Sequence, residues 1–216
     1  MNLAHLDFIY AHTSLAHVPM VPEIVLHQAN DEVLSGFLKR NDIPVPWWSV
    51  AWPGGQALSR YVLDRPETVR GKRVLDLATG SGFIAIAAAK AGAERVFASD
   101  IDPVALTATR LNAIHNGASI DIIPFLRMDM PPKGVDLILT GDICYDQAMS
   151  ARLFRWLYLC VHEGITVFLG DPGRAFLPSG GLEELASYDA PVRWPLEDKR
   201  IRKAWVWRVS IPEQHG

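Results

Sequence analysis

Gly80, Ser81 and Gly82 follow Val74-Leu75-Asp76-Leu77, an apolar run interrupted by one acid, and precede Phe83-Ile84-Ala85-Ile86-Ala87-Ala88-Ala89-Lys90. That last segment is rich in helix formers. Strand, tight turn and helix in this order open a βαβ unit. Glycine permits positive φ and lets a ligand approach the backbone closely, and the new helix N-terminus carries partial positive charge. The spacing Gly80-Ser81-Gly82-Phe83-Ile84-Ala85 fits the dinucleotide fingerprint. Asp100 ends the next apolar run, where a carboxylate can accept hydrogen bonds from both ribose hydroxyls of an adenosine cofactor. These two features do not separate a nicotinamide dinucleotide from S-adenosylmethionine, but Asp76 does. A carboxylate beside the turn repels a pyrophosphate, whereas a sulfonium and an ammonium gain from a nearby anion. We therefore expect S-adenosylmethionine, with S-adenosylhomocysteine as its product. The competing reading of Asp76 is that it only caps the turn.

A second constellation, Gly141-Asp142-Ile143-Cys144-Tyr145-Asp146, follows the fourth apolar run. Ligands in open parallel sheets sit beyond the carboxyl ends of the strands, so the methyl acceptor is expected here. Methyltransferases acting on a planar amide or an adenine amine commonly carry Asn/Asp-Pro-Pro-Tyr/Phe at this place. Ile143-Cys144 stands where the two prolines would be. That leaves Asp142 to hold a primary ammonium and Tyr145 to form an aromatic wall. The alternative is that Asp142 caps the next turn and Tyr145 packs on the sheet edge.

Trp52 precedes Pro53-Gly54-Gly55 and could set an indole face against the cationic cofactor, a contact worth about 0.5–2 kcal/mol. Trp47 is expected in the core. Gln56 could offer its amide to the cofactor's carboxylate. Asp129 could accept the adenine amino group or be a solvated loop acid. Arg174, in Gly170-Asp171-Pro172-Gly173-Arg174, could bind an acidic group of a partner or bridge two loops.

The elements that must position these residues alternate over 71–140. Strands are expected at Arg73–Leu77, Arg95–Asp100, Ser119–Phe125 and Val135–Thr140, with helices at Gly82–Ala91 and Pro103–His115 between them. Asp102 is the expected N-cap of the second helix, with proline at its first position. Such alternation gives a parallel sheet with right-handed crossovers. Further on we expect a helix at Ala148–Cys160, a strand at Gly164–Leu169, a short helix at Gly181–Tyr188, and a hairpin from Val192–Trp194 and Lys203–Val209. Upstream, Glu23–His27 reads as a strand and Asp31–Leu38 as a short helix, broken by Pro44 and Pro46; the histidines His5, His12, His17 and His27 read as a solvated face. The domain plan is an N-terminal extension over 1–50 and a methyltransferase domain over 51–216.

The chain has 216 residues, 49% apolar and 21% charged, with a net charge of −3. This suits one packed domain and argues against a general nucleic-acid binder. Cys144 and Cys160 have no ligand-like spacing, so no zinc site or other metal is expected, and the pair fits a reducing compartment. No apolar run is long enough to span a membrane, and the first residues lack the basic and apolar regions of a secretion signal. A cytoplasmic, bacterial monomer is expected.

Four segments together resemble the electron transfer flavoprotein β-subunit lysine methyltransferases: Trp52-Pro53-Gly54-Gly55-Gln56-Ala57-Leu58-Ser59-Arg60-Tyr61; Asp100-Ile101-Asp102-Pro103; Gly141-Asp142 through Tyr145-Asp146; and Gly170-Asp171-Pro172-Gly173-Arg174. The resemblance runs from Pro22 to Trp205. It implies a class I methyltransferase fold, α/β and Rossmann-like, with a seven-stranded mostly parallel sheet, helices on both faces and the last strand antiparallel. It also implies S-adenosylmethionine held at Asp100, Ile101, Gly80 and Gly82, an acceptor pair at Asp142 and Tyr145, and the electron transfer flavoprotein β subunit as protein substrate. Ala78 departs from the pattern, because the class often has its first glycine there. A methyltransferase of another substrate (a ribosomal protein, an RNA or a metabolite) and a NAD-binding oxidoreductase remain as alternatives.

Overall fold

The computed structural model describes residues 2–40, 45–124, 126–192 and 200–212. Seven strands form one sheet. They are β3 (Arg73–Leu77), β4 (Arg95–Ser99), β5 (Asp121–Ile123), β6 (Leu137–Gly141), β7 (Thr166–Asp171), β8 (Leu182–Pro191) and β9 (Ile201–Val209), in the spatial order β5-β4-β3-β6-β7-β9-β8. Pairs among β3 to β7 are parallel, and β9 runs antiparallel to both neighbours. Sheet order reverses direction between β3 and β6, so Leu77, Ser99, Gly141 and Asp171 end their strands around one crevice.

The two faces are filled by different helices. On one, α3 (Pro53–Asp64) and α4 (Phe83–Lys90) bury Leu58, Tyr61, Val62, Ile84, Ala85 and Ala88 against Val74, Val96, Leu137 and Phe168. On the other, α6 (Gln147–His162) buries Leu153, Phe154, Trp156, Leu157 and Cys160 against Leu75, Ile138, Val167 and Leu169. Both sheet faces are thus covered, as the apolar strands require.

The first fifty residues pack on this frame. A hairpin of β1 (Ser14–Val18) and β2 (Val21–Gln28) sets Val18, Val21, Ile24 and Leu26 against Phe83, Ile86 and Ala87. Helix α1 (Leu3–His12) places Ile9 with Trp48 against Ala105, Ala108 and Leu111 of α5 (Pro103–His115), and α2 (Asp31–Leu38) follows the hairpin. Asn112 and Asn116 of α5 satisfy the backbone of β2, accepting from the N–H groups of His27 at 2.8 Å and Val25 at 3.1 Å. His27 is accordingly buried rather than part of a solvated histidine face.

Three further expectations are corrected. Gly181–Tyr188 is not a helix: Leu182–Pro191 is the edge strand β8. Leu182-Glu183-Glu184-Leu185-Ala186 is a sequence of helix formers, but pairing along the length of β9 outweighs that propensity. The hairpin partner of β9 therefore begins earlier than Val192, and Arg193 and Trp194 lie outside the described residues, as do Pro44, Phe125, Glu197, Asp198 and Lys199. Trp47 is 48% exposed, and its neighbour Trp48 takes the interior place. Both sit in the single turn Trp47–Ser49, whose three residues per turn point adjacent side chains about 120° apart.

Candidate active site

Two buried aspartates at the strand ends each hold the start of a helix. Asp76, in β3, is fully buried, and its Oδ2 accepts from the Ala85 N–H at 2.9 Å and the Thr79 hydroxyl at 2.5 Å. Asp142, just past β6, accepts from the Gly55 N–H at 2.8 Å through Oδ2. Ala85 and Gly55 are each the third residue of their helix, α4 and α3, whose own N-cap residues Gly82 and Trp52 make no side-chain cap. The strand carboxylates supply those caps across the fold, where the helix ends carry partial positive charge. Asp142 therefore does not cap the next turn, and Asp146 does that for α6 through the Met149 N–H at 2.8 Å.

The glycine turn is held from two sides. Gly80 N–H donates to Asp100 Oδ2 at 2.8 Å, and α5 reaches in with Thr109 Oγ1 to Gly80 O at 3.1 Å and Asn112 Nδ2 to Ser81 O at 2.9 Å. Gly82 has φ 81° and lies so near α5 that a Cβ there would stand 2.7 Å from Thr109 Cγ2. Ala78 takes φ 56° at the exposed edge of the same turn, a conformation usually left to glycine. Asp100 Oδ1 accepts from Asp102 N–H at 3.0 Å, and Ile101 beside it is 97% exposed.

Burial dominates the electrostatics. It pushes the Asp76 carboxyl up to about 7, against the lowering effect of its bonds to Thr79 and Ala85. Burial also pushes Asp142 up to about 6, opposed by the Arg174 guanidinium and reinforced by Asp171. One oxygen of Asp76, Oδ1, is buried with no hydrogen-bond partner.

Past the end of β6, Asp142 Oδ1 accepts from Arg174 Nη2 at 3.0 Å. The Arg174 guanidinium also stands 5.3 Å from the centre of the Trp52 ring, whose Nε1 donates to Trp47 O at 2.9 Å. Arg174 thus bridges the two loops. Tyr145 is 64% exposed and within electrostatic reach of Asp100 and Arg174, so the ends of β4 and β7 adjoin around it.

Of two further residues named from the sequence, Gln56 is placed otherwise and Asp129 takes the solvated-loop alternative. Gln56 uses its amide hydrogens on Ala51 O at 2.7 Å and Pro191 O at 2.8 Å, tying α3 to the end of β8. The expected donation to a cofactor carboxylate gives way to this internal bond because α3 buries the side chain. Asp129 lies exposed on the loop between β5 and β6, paired with Arg127. The sequence reading missed Thr79 and Asp171. Asp171 is fully buried, accepts from the Arg174 N–H at 2.7 Å and contacts Cys144. The signal was present, because Gly141-Asp142 and Gly170-Asp171 repeat one dipeptide at the ends of neighbouring strands.

The electron transfer flavoprotein beta subunit lysine methyltransferase of Danio rerio is 40% identical over 178 residues, spanning 80% of this chain and 69% of its own length. That of Xenopus laevis is 38% identical over 209 residues, spanning 93% and 85%. This chain belongs to the electron transfer flavoprotein beta subunit lysine methyltransferase family. Within this family member, residues 56–143 also match the ribosomal protein L11 methyltransferase (PrmA) family. The fold is shared with an RNA methyltransferase of Salinibacter ruber solved with S-adenosyl-L-homocysteine, at 15% identity and TM-score 0.50 over 74% of this chain and 94% of that one. These animal relatives lend no support to the bacterial source expected from the sequence. Among the described residues no helix is long and apolar enough to cross a membrane.

Proposed function

We propose that the protein is an S-adenosylmethionine-dependent protein-lysine N-methyltransferase acting on the β subunit of electron transfer flavoprotein. The observation that carries this reading is a buried carboxylate, Asp142, beside an exposed Tyr145 at the strand ends of a member of this family. The L11 methyltransferase match ends at residue 143, so it bears on the donor half of the cleft more than on the acceptor.

The residues present fit the methyl donor. The unpartnered Oδ1 of buried Asp76 suits an ammonium, and a pyrophosphate would meet repulsion there. Asp100 keeps a second lone pair on each oxygen for ribose hydroxyls, and exposed Ile101 offers an apolar surface to an adenine. The backbone at Ala78, Gly80 and Gly82 lines the turn. When bound, the donor supplies a methyl group on a sulfonium, which the lone pair of the target nitrogen takes as the carbon–sulfur bonding pair returns to sulfur. Asp142 accepts an N–H of the target amine and orients its lone pair, and Tyr145 walls the lysine chain. Alignment of this kind can contribute about 7–11 kcal/mol.

Purified protein incubated with electron transfer flavoprotein and methyl-labelled donor should label the β subunit on lysine, read by peptide mass spectrometry. Label found only in nuclease-sensitive material or in other proteins would refute this assignment.

Asp76 gives donor binding a pH dependence. With its carboxyl raised to about 7, it is half protonated near neutrality. An ammonium against it favours the carboxylate, so binding expels a proton. Affinity for S-adenosylhomocysteine should therefore rise with pH from about 6 to about 8, approaching tenfold per unit on the acid side. Calorimetric titrations across that range should lose most of this slope in Asp76→Asn. The same shift acts on folding in a definite direction. A carboxyl raised in the folded state adds stability that is full below its unfolded value near 3.8 and is lost as pH rises through about 7.

A further inference from the structure

Arg174 governs the approach to Asp142. Its loop leaves β7 through Asp171-Pro172-Gly173, and its backbone N–H is fixed to Asp171 Oδ1 at 2.7 Å. From there the guanidinium meets Asp142 Oδ1 at 3.0 Å and stands against the Trp52 ring, with side-chain exposures of 16% for Arg174 and 8% for Asp142. An amine reaching Asp142 meets an ion pair rather than a lone anion.

That difference decides which form of the amine binds. Near pH 7.4 roughly one lysine in a thousand is the nucleophilic free base. A lone carboxylate beside the amine raises its pKa by about 1–3 units and makes that form tenfold to a thousandfold rarer. A carboxylate already paired with a guanidinium still offers lone pairs to an N–H without that penalty. The other groups facing Asp142 do not undo the balance. From β7 comes Asp171, whose pKa burial raises and whose Oδ1 already accepts the Arg174 backbone N–H at 2.7 Å. From the loop after β6 comes Cys144, a thiol that burial also pushes up, while the phenol Tyr145 lies within electrostatic reach of Asp100, Asp146 and Arg174. From α3 comes the Gly55 N–H.

We propose that Arg174 is the positioning residue of the acceptor seat, cancelling the charge of Asp142 so that the target amine docks as its free base. This rests on the lysine-methyltransferase reading above.

Arg174→Gln and Arg174→Lys in the full chain test it. The pH dependence of kcat, which reports the bound amine, is measured with electron transfer flavoprotein as substrate, and the Asp142 carboxyl is titrated by carbon NMR without substrate. In the glutamine variant the rising limb of the profile should move up by about one unit or more, and kcat near pH 7.5 should fall about tenfold or more. The Asp142 carboxyl should titrate higher, and the lysine variant should restore most of the wild-type profile. A glutamine variant with an unmoved pH profile overturns the proposal whatever its kcat, as does one faster than wild type near pH 7.5. Wild-type protein that methylates no lysine refutes the underlying reading instead. The carboxyl titration then decides alone: an upward shift in the glutamine variant supports the cancellation and an unmoved Asp142 overturns it.

Discussion

Asp142→Asn should lower kcat by about 100-fold or more near pH 7.5 and leave S-adenosylhomocysteine affinity within about twofold, the scale on which removing one preorganised polar group slows an enzyme. The substitution is chosen for what it preserves. Asp142 has φ 57°, a conformation that asparagine adopts at lower cost than alanine, although Ala78 holds it in the glycine turn. The asparagine carbonyl can still accept the Gly55 N–H and keep the start of α3 capped. What changes is the other end of the side chain. An NH₂ group replaces the oxygen that meets the Arg174 guanidinium at 3.0 Å, so donor faces donor and no acceptor is left for the target amine. Helix α4 and the glycine turn are held by Asp76, Asp100, Thr109 and Asn112, none of which the change touches, and so donor affinity should persist. Single-turnover transfer to the flavoprotein subunit, with calorimetry on the same preparation, measures both. Unchanged transfer at retained affinity would remove Asp142 from the acceptor role.

The elements around the glycine turn were legible because their information is local. The apolar run before Gly80, the helix formers after Gly82 and the Asp102-Pro103 helix start each act within a few residues, and β3, α4, β4 and α5 lie where those signals put them. Where local preference and long-range pairing disagree, the sequence misleads. Leu182–Ala186 has helix propensity but extends because β9 offers an unpaired edge. Side-chain partners were the least legible. Gln56, Asp142 and Arg174 are separated by 87 and 32 positions from the groups they bind, Asp142 to Gly55 and Arg174 to Asp142, and by 135 for Gln56 to Pro191. No spacing rule reaches that far. The capping of α3 by Asp142, 87 positions from Gly55, is invisible for the same reason, whereas Asp76 reaches Thr79 and Ala85 close by, and a capping role for it was one of the two readings of the sequence.

Gly54→Ala should lower stability by about 3 kcal/mol or more, beyond the usual range for an overpacked core. In a chain of this size that corresponds to a fall in melting temperature of roughly 6–12 °C. A Cβ at Gly54 would stand 2.2 Å from Gly170 O, 2.6 Å from Gly170 C and 2.7 Å from Asp142 Oδ2. Two of these three are backbone atoms of β7, bonded into the sheet between β6 and β9, and cannot rotate aside. Relief requires α3 to lift from the sheet. That would loosen Leu58, Tyr61 and Val62 from Val74, Leu137 and Phe168 and draw the Gly55 N–H away from Asp142. The loss should therefore appear in activity as well as in the melt, since one movement disturbs both. Gly36→Ala separates this clash from the general effect of adding a methyl group. Gly36 lies exposed within α2, and its Cβ would meet nothing within 4 Å. That variant should gain about 0.5–1 kcal/mol through helix propensity. Thermal melts of the two variants beside wild type should diverge in opposite directions. A Gly54→Ala protein melting within about 2 °C of wild type would mean that the helix start and the strand end are not held in the close backbone contact that sets Asp142 in place.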